Sequence, residues 1–66
     1  MSKLYDITEV LEMVRETSKN TKISDLITWQ KEYSITPHGQ SRAYSVSDVL
    51  KFTAIASMKE ALKINV

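Results

Sequence analysis

The side chains best suited to binding chemistry lie in the middle third of this 66-residue chain. Ser24, Thr28 and Lys31 recur at a spacing that places them on one side of a helix. Short polar groups and a lysine on such a face can meet base edges and phosphates in the major groove of DNA. The same spacing is typical of an ordinary solvated helix face, so the sequence leaves both interpretations open.

Basic and polar residues around this face complete a candidate DNA-binding set. Lys22 lies near the expected start of the helix, where it can hold a phosphate. Arg42 follows a polar turn and is the strongest single candidate for a contact to the DNA backbone or minor groove. The full predicted set is Lys22, Ser24, Thr28, Lys31, His38, Gln40, Ser41 and Arg42.

The residues that catalysis or metal binding would need are largely missing. His38 is the single histidine and there is no cysteine, so an imidazole or thiolate metal site lacks its partners. Glu9, Glu12 and Glu16 share one helix face, which is the usual solvated pattern. One glycine cannot build a glycine-rich phosphate loop. We therefore expect no enzymatic activity, no cofactor and no metal.

Length and composition predict a single domain over residues 1–66. No apolar run approaches the roughly 18 residues of a membrane span, and the start of the chain lacks a signal-peptide core. These features, with the absence of cysteine, favour a soluble cytoplasmic protein that has no membrane partner. The net charge of +1 is low for a nucleic-acid binder, but residues 17–44 hold four basic against two acidic residues.

The first helix is predicted from Asp6 to Arg15 or Thr17. Asp6 and Glu9 have the spacing of a capping box. A polar loop over 17–21 follows, and Thr21 or Ser24 is expected to open the second helix. The apolar face of that second helix holds Ile23, Leu26, Ile27, Trp29 and Tyr33. We interpret Trp29, Tyr33 and Tyr44 as core residues that set the angles of neighbouring elements, and not as base-stacking residues.

Residues 33–46 predict a two-stranded β-hairpin. Pro37 and Gly39 supply turn chemistry, with Gly39 free to take a positive φ angle. The stretch before Pro37 is β-prone, and the alternation over 42–46 is typical of a returning strand. A lone hairpin is barely stable, so this one needs anchors on the helices, for which Ile35, Tyr44 and Val46 are the candidates.

The last helix is predicted from about Asp48 to Leu62, with caps available within 45–48. Its apolar residues cover well over half of the circumference, whereas a surface helix needs one stripe. The helix is therefore either the centre of the core or a contact for a second copy. The expected contact for a homodimer or a cooperative array consists of Phe52, Ile55, Met58 and Leu62.

The order of these features resembles the DNA-binding domain of MerR-type regulators and the related small excisionases. The residues that carry the resemblance are Ile7-Thr8-Glu9-Val10, Trp29-Gln30-Lys31-Glu32-Tyr33, Ile35, Gly39, Arg42-Ala43-Tyr44 and Ser45-Val46-Ser47-Asp48-Val49. The resemblance implies a mainly α winged helix-turn-helix fold of three helices with a short β-hairpin wing. Departures are a longer first turn and Ile27 where the family often has arginine.

This resemblance implies a sequence-specific double-stranded DNA-binding protein of a phage, plasmid or mobile element. Such a protein would act as a small transcriptional regulator or as a recombination directionality factor, that is, an excisionase. The alternative is a winged-helix module that binds protein without binding DNA, as an antirepressor, inhibitor or adaptor. The low net charge, the acidic first helix and Ile27 favour that alternative.

Overall fold

The computed structural model describes residues 3–40 and 42–64 and contains three helices. They are α1 (Ile7–Arg15), α2 (Ile23–Glu32) and α3 (Val46–Ile64). The prediction of a small, mainly α fold with three helices is confirmed. No helix in the described part of the chain is both long enough and apolar enough to cross a membrane.

α1 forms where its capping box predicted. The Asp6 carboxylate accepts the Glu9 amide at 2.8 Å, and the Glu9 carboxylate accepts the Asp6 amide at 3.2 Å. These bonds satisfy two backbone donors that a helix start otherwise leaves free. The helix then buries Val10, Leu11 and Val14 against the core.

α2 begins at Ile23, so neither Thr21 nor Ser24 caps it as predicted. Asp25 stabilises the start instead, because its carboxylate accepts the Lys22 amide at 2.9 Å. Leu26 and Trp29 are buried. The predicted apolar face is wider than the buried face, since Ile23, Ile27 and Tyr33 are each about two-fifths exposed. Tyr33 is therefore not the core residue that the sequence predicted.

The predicted hairpin wing does not form within the described residues. His38 and Ala43 exchange one pair of backbone hydrogen bonds, of 2.7 and 3.0 Å, and this bridge closes a turn. The next hydrogen bonds of a hairpin would join Thr36 and Ser45, but the Ser45 amide donates to Asp48 and its carbonyl accepts the Val49 amide at the start of α3. Tyr44 pairs with Tyr5 on the other edge of the same segment. The residues that would extend a second strand, beginning with Val46, belong to α3.

α3 starts two residues earlier than predicted and forms the centre of the core. Its start is capped reciprocally, because the Ser45 hydroxyl accepts the Asp48 amide and the Asp48 carboxylate accepts the Ser45 amide. Val46 is exposed, so the prediction that it anchors the wing is wrong.

The residues predicted to contact a second copy divide into two groups. Phe52 is 1% exposed and Ile55 is also buried, so both belong to the chain's own core and cannot meet a partner. That part of the predicted homodimer contact is wrong. Met58 and Leu62 remain exposed. The core around Phe52 also holds Tyr44, whose ring meets the Phe52 ring edge-on at 5.7 Å between centroids.

Candidate nucleic-acid interface

The polar side of α2 faces away from the core, as the sequence predicted. Ser24, Thr28 and Lys31 are all exposed. The Thr28 hydroxyl donates to the Ser24 carbonyl at 2.9 Å, so its proton is used within the helix while its oxygen can still accept. This face offers a ligand one cation, two short hydroxyl groups and the Thr28 methyl group.

Lys31 and Arg42 meet at the end of α2 around an open groove. The groove has a volume of about 560 Å³ and separates α2 from the residues that follow it. Ile27, Ile35 and Pro37 line it together with the two cations, and the Asp6 carboxylate lines it from the start of α1. Arg42 adopts a φ angle of 54°, which is uncommon for a residue other than glycine. The fold therefore brings together two predicted site residues that are eleven positions apart in the sequence.

A second basic group lies at the opposite end of α2. Lys22 shares an open groove with Lys19, Arg15 and Asn20, and with one carboxylate, that of Asp25. The Arg15 side chain is held there, because its Nε donates to the Thr21 carbonyl at 2.8 Å. Lys19 and Arg15 were not among the predicted site residues. The signal that could have found them is their position in or beside the polar loop that leads into α2.

The turn that carries the other predicted residues is tied to the start of α3. His38 Nε2 lies 3.1 Å from Asp48 Oδ2, and Asp48 is buried. Gly39 has a φ angle of +69°, which confirms its predicted conformation. Gln40 is exposed, and Ser41 lies outside the described residues. His38 therefore has a structural partner, which makes it a positioning residue for the turn.

Tyr44 connects this turn to α2. It is 3% exposed, and its hydroxyl donates to the Gln30 side-chain carbonyl. Burial raises the pKa of the Tyr44 hydroxyl; the Arg42 charge opposes that rise and the Asp48 charge adds to it. This hydrogen bond fixes the segment that carries Arg42 against the helix that carries Lys31.

No known family model, curated protein or solved structure matches this chain. The site is therefore defined by its own geometry alone.

One exposed feature of the site was not predicted. Ile23 and Ile27 lie on the outward part of α2 beside its polar residues, and Ile27 is 42% exposed. Helical spacing places both on the apolar face of α2, but periodicity does not show how much of that face the neighbouring elements cover. The exposed side of α2 is thus a mixed surface of cations, hydroxyl groups and isoleucine side chains.

Proposed function

We propose that this chain is a sequence-specific binder of double-stranded DNA whose α2 helix enters the major groove. The proposal is supported by the presence of exposed cations at both ends of α2. Lys22 and Lys19 line one groove at the start of the helix, and Lys31 and Arg42 line another at its end. The 10 residues of α2 span about 15 Å. The major groove is about 12 Å wide, so these cations can reach phosphates on both of its borders.

The side chains between the two basic groups can read bases. The oxygens of Ser24 and Thr28 can accept hydrogen bonds from base edges in the major groove. Ile27 can contact the methyl group of thymine, as apolar side chains do in the major groove. Contacts to phosphates would set position, and these central residues would set the sequence preference.

A small transcriptional regulator or an excisionase of a phage, plasmid or mobile element would use such a module. A few cations give modest affinity that falls with salt in proportion to the number of phosphates they contact, so useful occupancy would need a second copy on adjacent DNA. The surface available for that copy is the exposed apolar side of α3, which consists of Val46, Leu50, Met58 and Leu62.

The proposal is tested by fluorescence anisotropy with a labelled duplex of random sequence at about 50 mM salt. The native chain should bind at micromolar concentration, and Lys31→Ala and Arg42→Ala should each lower the slope of log affinity against log salt by about one. Lys51→Ala removes the same charge from an exposed position on α3 and serves as the matched control. Absence of binding by the native chain would overturn the proposal.

A second candidate function is protein binding through the same surface. The observation that favours it is the exposed Ile27 beside a groove lined by Ile35 and Pro37, since exposed apolar surface often marks a protein contact. If the native chain is folded but does not bind the duplex in the anisotropy experiment, that result would favour protein binding over DNA binding.

A further inference from the structure

The exposed side of α3 carries almost no charge. From Val46 to Leu62, nine residues are exposed, of which six are apolar, two are serines and one, Lys51, is charged. On α1, by comparison, three of the four exposed residues are charged, namely Glu9, Glu12 and Arg15. Depletion of charged residues is a compositional mark of the buried centre of a protein interface. The outer side of α3 therefore has the composition of a contact surface.

The large apolar residues of this side are arranged symmetrically about a small one, Ala54. Leu50 and Met58 lie one turn before and after Ala54 and about 40° to either side of it. Val46 and Leu62 lie two turns before and after it and about 80° to either side. All four of these side chains are about half exposed or more. A surface with this order is complementary to itself, as a contact between two copies related by a two-fold axis requires.

The chemistry of this side favours a second copy of the chain over other partners. A nucleic acid, or a protein with a charged surface, would meet a single cation, Lys51, along the whole of it. A second copy presents the same uncharged apolar groups in the same symmetric order. Ala54 at the centre allows the two helices to approach closely, because the distance between packed helices depends on the side chains at their contact.

The size of this side indicates how strong such a contact is. From Val46 to Leu62 it is about 24 Å long, and a helix with its side chains is about 10 Å wide. A contact between two such strips lies at the low end of specific interfaces, below about 1,200 Å² in total. The contact should therefore form at high protein concentration and dissociate on dilution.

We propose that α3 joins two copies of this chain in a two-fold dimer centred on Ala54. Both copies use the same side of α3, so the contact closes at two copies and does not extend into an array. Two copies related in this way that each place α2 on DNA would bind an inverted repeat of two half-sites. The inverted repeat rests on the proposed function, whereas the dimer does not.

Sedimentation equilibrium of the native chain without DNA tests the dimer. The apparent mass should rise with protein concentration from that of one copy to that of two, and it should rise no further. A chain that stays monomeric up to about 1 mM, or one that grows beyond two copies, would overturn the proposal.

A single cysteine locates the contact, because the chain has no cysteine of its own. Ala54→Cys places a thiol at the two-fold axis. Helices packed about 9–10 Å apart bring facing Cα atoms to about 5 Å, which a disulfide can span. Thr8→Cys places a thiol at an exposed position on α1 and is the matched control.

Under the same oxidising conditions, Ala54→Cys should form a disulfide-linked dimer about tenfold faster than Thr8→Cys, because assembly raises the local thiol concentration. Equal rates, with circular dichroism confirming that both variants fold, would refute the assignment to α3. If Ala54→Cys does not fold, the sedimentation of the native chain still decides whether the dimer forms.

Selection of bound duplexes from a randomised pool separates the dimer from the proposed function. The enriched sequences should be inverted repeats. Enrichment of single sites or direct repeats would overturn the two-fold pairing on DNA. A chain that dimerises but enriches no sequence would support the dimer and count against the proposed function.

Discussion

Tyr44 shows how one side chain can link all parts of this small molecule. Its backbone pairs with Tyr5, its ring packs against Phe52 in α3, and its hydroxyl donates to Gln30 in α2. The sequence predicted Tyr44 as a core residue and as an anchor of the wing, but it did not predict the bonds to Tyr5 and Gln30. Loss of the hydroxyl should therefore loosen the placement of Arg42 without removing any charge from the site.

The raised pKa of Tyr44 gives a prediction about stability at high pH. In the folded chain, the pKa of the Tyr44 hydroxyl lies above its ordinary value of 10.0, so the folded chain holds this proton to a higher pH than the unfolded chain does. Its contribution to stability is therefore complete below pH 10 and is lost as the pH rises through the folded-state pKa. Tyr44→Phe should cost about 1 kcal/mol at neutral pH, through loss of the hydrogen bond to Gln30.

Urea unfolding of both chains over a series of pH values measures this effect. The free energies of unfolding of the native chain and of Tyr44→Phe should converge above pH 10, because only the native chain loses the Tyr44 contribution there. Curves that stay parallel to the highest pH would contradict the prediction.

At the scale of the element, the end of α2 contains a residue in a strained backbone conformation, which a substitution by glycine could relieve. Ser34 follows the helix with a φ angle of 57°, and the Ile35 amide donates to the Gln30 carbonyl at 2.9 Å. This is the Schellman arrangement, in which glycine is the usual residue at the Ser34 position. A residue with a Cβ pays about 1–2 kcal/mol to adopt this conformation.

Ser34→Gly should therefore raise the free energy of unfolding by about 0.5–1 kcal/mol, since glycine removes the strain but adds disorder to the unfolded chain. Thr36→Gly is the control, because Thr36 is exposed and its φ angle is not positive, so that change should destabilise the chain. Chemical denaturation measures both. A loss of stability in Ser34→Gly would show that the Ser34 side chain has a role in the helix end.

Features predicted correctly from the sequence are those that depend on neighbouring residues. The Asp6–Glu9 capping box needs only its own turn, and the same is true of the positive φ angle of Gly39. The hairpin failed because its second strand competes with the start of α3 for the same residues. Its competitor was local, since the cap formed by Ser45 starts α3 within the predicted strand.

In the candidate site, too, the sequence predicted the features that lie within one helix and not those that depend on separate elements. Helical spacing predicted that Ser24, Thr28 and Lys31 share an exposed face. The meeting of Lys31 with Arg42 depends on how three elements pack. Periodicity within one helix cannot specify such contacts, because they require the relative placement of separate helices.

At the scale of the whole molecule, α3 has two apolar sides with different roles. One side holds Phe52 and Ile55 in the core, whereas Leu50 on the other side is 64% exposed. A domain of this size has only a few kcal/mol of net stability, so it cannot tolerate a charge in that core. The exposed side, in contrast, can be changed without affecting the fold.

A pair of substitutions on α3 separates these roles. Phe52→Glu should abolish the helical circular dichroism at 25 °C, because it places an unpaired carboxylate at a fully buried position. Leu50→Glu changes an exposed position and should shift the free energy of unfolding by about 0.5 kcal/mol or less. Sedimentation then tests association, since any dimer formed through the exposed side of α3 should dissociate in Leu50→Glu while the monomer stays folded. If Phe52→Glu remained folded, or Leu50→Glu unfolded, the assignment of the two sides of α3 would be reversed.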